Sequence, residues 1–284
     1  MVVAALVGFA AVAHATWNVV LKKTGASGVG FLWLTFAVGA VVFAPFGVSS
    51  LIDNRVDLGR WFPLVVVSGA LQVGYFLLLQ RAYRVADVSI VYPLARGTGP
   101  LLTVLLAIAV FGERPSTLVL GGVVLIVVGV VTIGLAGGRG SAALNRPGVV
   151  YGLLVGVVIA AYTMWDAAAV TVGGMPPVGL YWGSVVFQLL LLAVPAVRGF
   201  AQTRDAARHH WVAAIVVGVL APLAYILILM AMQLAPVSIV APAREVSVVL
   251  VGIAGWLVFK ELNPVQRLVG GTIVLLGVAL LAVG

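Results

Sequence analysis

Cysteine is absent from the 284 residues, and aspartate and glutamate together number only 8. Without cysteine there is no disulfide framework, no thiolate nucleophile and no cysteine-ligated metal. Only 8% of the chain is charged and 63% is hydrophobic, whereas a globular domain carries about 25% charged residues. The mean hydropathy of +1.23 belongs to a chain that dissolves in lipid rather than water. Also missing are HExxH, GxSxG, a phosphate-binding P-loop and any cluster of metal ligands. Their absence argues against an intramembrane transferase or protease, implies no cofactor, and leaves a gradient or exchange as the source of energy for any transport. No wholly polar segment is long enough to form a soluble domain, which argues against a receptor or channel-like module.

The formal net charge of +8 comes from basic residues scattered singly between apolar runs. No basic stripe interleaved with aromatics is present, so nucleic acid is not an expected partner; anionic lipid headgroups are. The N-terminal stretch MVVAALVGFAAVAHATWN has no basic leader and no cleavage site, and reads as a first span rather than a signal peptide.

A spanning helix needs about 20 mostly apolar residues. Breaks at 22–28, 49–60, 81–87, 112–115, 137–147, 171–177, 198–210, 233–236 and 260–264 therefore leave about ten spans. The expected fold is an all-α polytopic membrane protein, with residues 1–140 as one five-helix repeat and 147–284 as a second.

The repeat is legible in the residues. VSIV occurs at 88–91 and again at 237–240, followed by Pro93 and Arg96 in one copy and Pro242 and Arg244 in the other. The arginines are 148 positions apart (244 − 96), and the same offset links His14, Trp17 and Asn18 to Tyr162, Trp165 and Asp166. Because five is odd, the second copy must cross the membrane in the opposite sense, which makes an inverted repeat with a site near the midplane.

Arginine at mid-depth costs roughly 2.5–3.5 kcal/mol even on the lenient insertion scale. Two at matching places call for a function or for ion pairs that lock helices together. His14, Trp17 and Asn18 share a helical face, as do Tyr162, Trp165 and Asp166. Ser89, Tyr92, Arg96 and Thr103 line one stripe of span four, and Ser238, Pro242 and Glu245 one stripe of span nine. Gln72, Tyr75, Gln188 and Tyr225 complete the set. Guanidinium forks suit carboxylate or phosphate, so the cavity fits a small zwitterion or anion with an apolar part. Arg96 and Arg244 are expected to balance Asp166 and Glu245, with Glu245 the more exposed to the cavity of the pair 244–245. Asp166 is the candidate for proton coupling.

Further expectations concern packing. Pro93, Gly97, Gly99 and Pro100 should loosen span four, and Pro242 span nine. Glycines at 122 and 129, and at 270, 277 and 284, recur every seven residues and mark a close-packed face. That face meets either another span or a second subunit, so monomer and homodimer both stay open. Glu113 and Glu261 are read as solvated or paired with Arg114 and Lys260. The odd-numbered loops hold most basic residues, among them Lys22, Lys23, Arg81, Arg84, Arg139 and Arg198, and the positive-inside rule then puts both termini outside the cytoplasm, provided that Lys22 and Arg81 do not face the cavity.

The AHATWN…KK first span, the AYRVADVSIVYPLARGTGP run, the FGE and FKE helix ends and the glycine-heptad final spans together resemble the drug/metabolite transporter superfamily, in its ten-helix EamA-type permeases. The resemblance covers essentially the whole chain. It implies two inverted five-helix halves, peripheral fifth and tenth spans, and alternating access in a bacterial plasma membrane, commonly for export of amino acids or related metabolites. A proton or an exchanged counter-substrate would drive it. The matched cavity residues are His14, Trp17, Tyr92, Arg96, Tyr162, Asp166 and Arg244. The resemblance also implies cytoplasmic termini, against the charge count. A nucleotide sugar or lipid-linked intermediate is the alternative cargo.

Overall fold

The computed structural model describes residues 1–86, 88–135, 146–259 and 263–284. The expectations for Arg139, Lys260, Glu261 and the side chain of Ser89 lie outside the described residues, as does the join between the repeats.

All regular structure among the described residues is helical. Continuous apolar spans are formed by α1 (Val2–Thr24), α4 (Leu58–Val85), α5 (Val88–Phe111), α6 (Thr117–Leu135), α7 (Arg146–Thr171), α11 (Trp211–Met232) and α14 (Pro264–Val283). An eighth is the pair α12 (Val237–Ala243) and α13 (Val246–Phe259). The two remaining spans are interrupted. Helices α2 (Val29–Val42) and α3 (Ala44–Asp53) meet at a 52° bend. Helix α8 (Pro177–Leu191) has only 15 residues and is followed by α9 (Ala193–Arg198). The interruptions fall at Phe43 and Leu192, 149 positions apart (192 − 43), so the repeat extends to where helices break. Among the described residues there are thus eight spans long and apolar enough to cross a membrane, nine with the bent pair α2–α3, and the shorter apolar helix α8 stands at the place of the tenth expected span. A further helix, α10 (Phe200–His209), covers the loop before α11 and tucks Thr203 against Gly30 of α2.

Helix pairing follows the inverted repeat. As α1 packs on α11, α7 packs on α4; as α5 packs on α7, α13 packs on α1. Two pairs are symmetric with themselves, α2 with α8 and α6 with α14. In the second of these, a Cβ on Gly129 would lie 2.6 Å from the carbonyl oxygen of Gly270, and one on Gly122 2.7 Å from that of Gly277. The converse distances are 2.8 and 2.7 Å. The heptad glycine face therefore meets another span of the same chain, with backbone against backbone and no room for a methyl group.

Span four is not loosened. Helix α5 runs unbroken through Pro93 and Pro100. The ring of Pro93 lies in the space that the missing side chain of Gly134 leaves, and a neighbouring helix of this kind makes proline tolerable inside a membrane span. Span nine does break, just past Pro242. The N–H of Glu245 donates to Pro242 O at 2.9 Å and that of Val248 to Glu245 O at 2.9 Å, both three-residue rather than four-residue bonds. This tight turn sets Arg244 and Glu245 between α12 and α13.

Glu113 is half-buried and bonds to main chain instead of pairing with Arg114. Its Oε1 accepts the N–H of Val237 at 2.8 Å and its Oε2 that of Ser238 at 2.9 Å. A carboxylate at a helix start satisfies orphan N–H groups and the positive end of the helix dipole, and here it ties the end of α5 to the start of α12.

Candidate binding cavity

Where the repeats meet, a cavity of about 120 Å³ is lined by His14 and Trp17 of α1, Gln72 and Tyr75 of α4, Arg96 of α5 and Tyr162 of α7, with Tyr181, Tyr225, Arg244 and Ser247 closing it. It shares Trp17, Tyr75, Arg96 and Tyr181 with a larger apolar vestibule of about 340 Å³. The vestibule runs past Tyr92, Asn18, Phe31 and Phe36 to Ser27 and Gly28 in the first loop, and to Tyr83 near the end of α4. It therefore lies toward the odd-numbered loops. Neither Lys22 nor Arg81 lines either space. Lys22 belongs to the last turn of α1, and Arg81 donates to the Tyr151 hydroxyl at 2.8 Å.

The two arginines arrive from opposite repeats and meet at one acid. Arg96 Nη1 is 3.5 Å from Glu245 Oε2, and Arg244 Nε is 3.6 Å from Glu245 Oε1. A direct charge-assisted hydrogen bond is about 2.7–2.9 Å, so these are ion pairs that leave guanidinium donors free to turn to a ligand. Glu245 itself is fully buried and does not line the cavity, whereas Arg244 does. The expected order of exposure within the pair is thus reversed. The tight turn is the cause, because it points Glu245 back between the arginines.

Arg96 Nη2 lies 3.2 Å from His14 Nε2. Guanidinium has no acceptor, so the arginine donates and His14 Nε2 is the bare nitrogen of a neutral ring. The His14 ring stands edge-on to Trp17 at 4.9 Å. Tyr92 places its ring 5.6 Å from the Arg96 guanidinium carbon, in cation–π range. Tyr75, Tyr162, Tyr225 and Tyr181 form a chain of ring contacts with centroids 5.8, 6.0 and 4.9 Å apart.

Asp166 pairs with neither arginine, contrary to expectation. It is fully buried behind the cavity wall, where its Oδ2 accepts from the Tyr225 hydroxyl at 2.8 Å and from Gln72 Nε2 at 3.2 Å. The α7 face that carries it turns toward α4 and α11, while both arginines face the turn at Glu245. Gln188, also fully buried, donates to Gln72 Oε1 at 3.1 Å. Trp165 donates to Leu64 O at 3.0 Å, and Asn18 to His14 O at 2.7 Å. Trp165, Asp166 and Gln188 thus stand outside the cavity lining, and Asn18 reaches only the vestibule. Thr103 bonds back to Gly99 O at 2.9 Å and is buried away from it.

Repeat mates have parted company. The indole N–H of Trp165 is satisfied by backbone, while that of its mate Trp17 is buried with no partner and lies on the cavity. Two polar lining residues escaped the sequence reading. Tyr181 lies two turns before Gln188 and Ser247 one turn after Arg244, so helical spacing from residues already singled out carried the signal.

The profile of the EamA-like transporter family matches the chain twice, over residues 2–135 and 146–283. A protein of known crystal structure superposes with a TM-score of 0.77 over 99% of this chain and 96% of its own, at 18% identity, a likeness of fold alone. No curated protein matches the chain at a significant level.

Proposed function

Since the chain belongs to the EamA-like transporter family, we propose that it is a secondary transporter of a small metabolite that pairs a carboxylate or similar anion with an apolar part. The observation that carries this reading is the convergence of Arg96 and Arg244, one from each repeat, on a single cavity of about 120 Å³. That space suits the charged end of an amino acid or short organic acid. Donors converge there: two guanidiniums and the unpartnered indole N–H of Trp17. The apolar remainder of the cargo would lie along the tyrosine rings or in the vestibule, whose walls are Phe31, Phe36, Phe76 and Val217.

Alternating access follows from the inverted repeat. The vestibule reaches the first loop. The opposite side is held shut by the Glu113 carboxylate on α12 and by Gln233 Nε2 donating to Val170 O at 3.1 Å. Exchange of these closures for equivalent ones on the vestibule side would carry the cargo across without a continuous pore. A bacterial plasma membrane is the proposed setting.

A thermal-shift screen of amino acids and short carboxylates on purified protein, followed by flux assays in proteoliposomes, tests the reading. A ligand that binds only the folded state raises its apparent stability by mass action. The free acid should stabilise and be transported, and its methyl ester should do neither. Transport restricted to organic cations would overturn it.

A further inference from the structure

A second site lies behind the cavity wall. Asp166 is fully buried, with no cation beside it. Both hydrogen bonds from Tyr225 and Gln72 fall on Oδ2, and Oδ1 has no partner. The surrounding network leaves several polar groups unmatched. Gln72 uses its amide on Asp166 and on the Ser68 hydroxyl at 3.0 Å, and Gln188 spends a donor on Gln72. Gln188 Oε1 and the Thr163 hydroxyl, one turn before Asp166, are also buried without partners.

An unpaired carboxylate in such surroundings is costly as an ion. Two bound species relieve that cost: a proton on Oδ1, or a small metal cation held by the orphan oxygens. Oδ2 is already committed to N–H and O–H donors, which point positive hydrogens at the place a metal would share. A proton needs only Oδ1, which is free of any other partner.

We propose that Asp166 is a proton-binding site, coupled to the central cavity through Tyr225 and Gln72. Both residues line the cavity and bond Asp166 with the same polar groups that they would offer a ligand. A cargo that draws either group toward itself strips a donor from Oδ2 and makes the ionised form harder to hold, so the proton binds more tightly. Loss of the cargo returns the donors and releases the proton to cavity water. Other titratable groups surround the site. Tyr162 is on the same helix, Tyr75 of α4 contacts it at 5.8 Å, and Tyr181 of α8 contacts Tyr225 at 4.9 Å. Across the cavity stand His14, Arg96 and Arg244, with Glu245 held between the two arginines. The use of this proton in transport rests on the function proposed above; its binding does not.

The test is infrared difference spectroscopy between acid and alkaline buffers, on substrate-free protein in lipid nanodiscs. Wild type should show a protonated-carboxyl band that disappears on alkalinisation, and Asp166→Asn should lack it. Should Asp166→Asn fail to fold, Tyr225→Phe removes one donor to the ionised form while keeping the ring. It should retain the band to a pH higher by about 1–2 units, the equivalent of one hydrogen bond to a charge. The proposal is overturned by an unaltered band in Asp166→Asn, by an unmoved midpoint in Tyr225→Phe, or by sodium at constant pH raising the melting temperature of wild type alone. Because no cargo is present, a failure of the transport assays leaves this result standing on its own.

Discussion

The carboxylate of Glu113 holds the main-chain N–H of Val237 at 2.8 Å, joining the end of a helix in one repeat to the start of a helix in the other. With the companion bond to Ser238 at 2.9 Å, it ties the two repeats together on the side opposite the vestibule. A hydrogen bond to a charged group contributes about 1.5–3 kcal/mol.

Glu113→Gln discards the charge and one of the two acceptors. Closure should weaken by an amount that raises the labelling rate of a buried position beneath it about tenfold or more. The native chain has no cysteine, so Ala241→Cys, at a fully buried site on α12, gives a single reporter for a thiol reagent. Equal labelling rates with and without Glu113→Gln would deny it the role of a closure.

Arg96→Ala should abolish transport and also lower the melting temperature, because breaking a buried ion pair costs about 3–5 kcal/mol. Adding Glu245→Gln removes the acid that the missing arginine leaves behind. The double variant should regain much of the stability and none of the transport. Recovery of transport together with stability would show that the arginine serves as an ion-pair strut and not as a ligand-binding group.

Gly129→Ala places a methyl carbon 2.6 Å from the Gly270 carbonyl oxygen, where only backbone movement makes room. Overpacking of this kind costs about 1–3 kcal/mol. The melting temperature should fall while KM stays constant, since neither residue is near the cavity. A shift in oligomeric state without loss of monomer stability would place the glycine face between subunits instead.

Trp17 and Trp165 offer a paired comparison. Trp165→Phe loses the bond to Leu64 O, about 1 kcal/mol, and should lower stability with KM unchanged. Trp17→Phe removes an indole N–H that has no protein partner, so it should raise KM and leave the melting temperature nearly constant. Identical profiles for the two would remove Trp17 from the site.

Composition and the 148-residue offset between Arg96 and Arg244 were enough to establish a membrane bundle of two inverted halves, because lipid demands apolar spans of a given length and an odd number of them reverses the copy. The cost of a guanidinium in hydrocarbon likewise marks the arginines as inward-facing from the sequence alone. Helical periodicity places residues on a face but does not say which neighbour that face meets. Only the packed structure decided that Glu245, and not Asp166, receives both arginines, through a turn of three-residue hydrogen bonds that no motif announces. It also decided that the heptad glycines close α6 on α14, and that Trp165 bonds to backbone while its repeat mate faces the cavity. Copies of one unit begin with equivalent positions; packing in a single asymmetric core, where each buried donor must find its own acceptor, is what makes them differ.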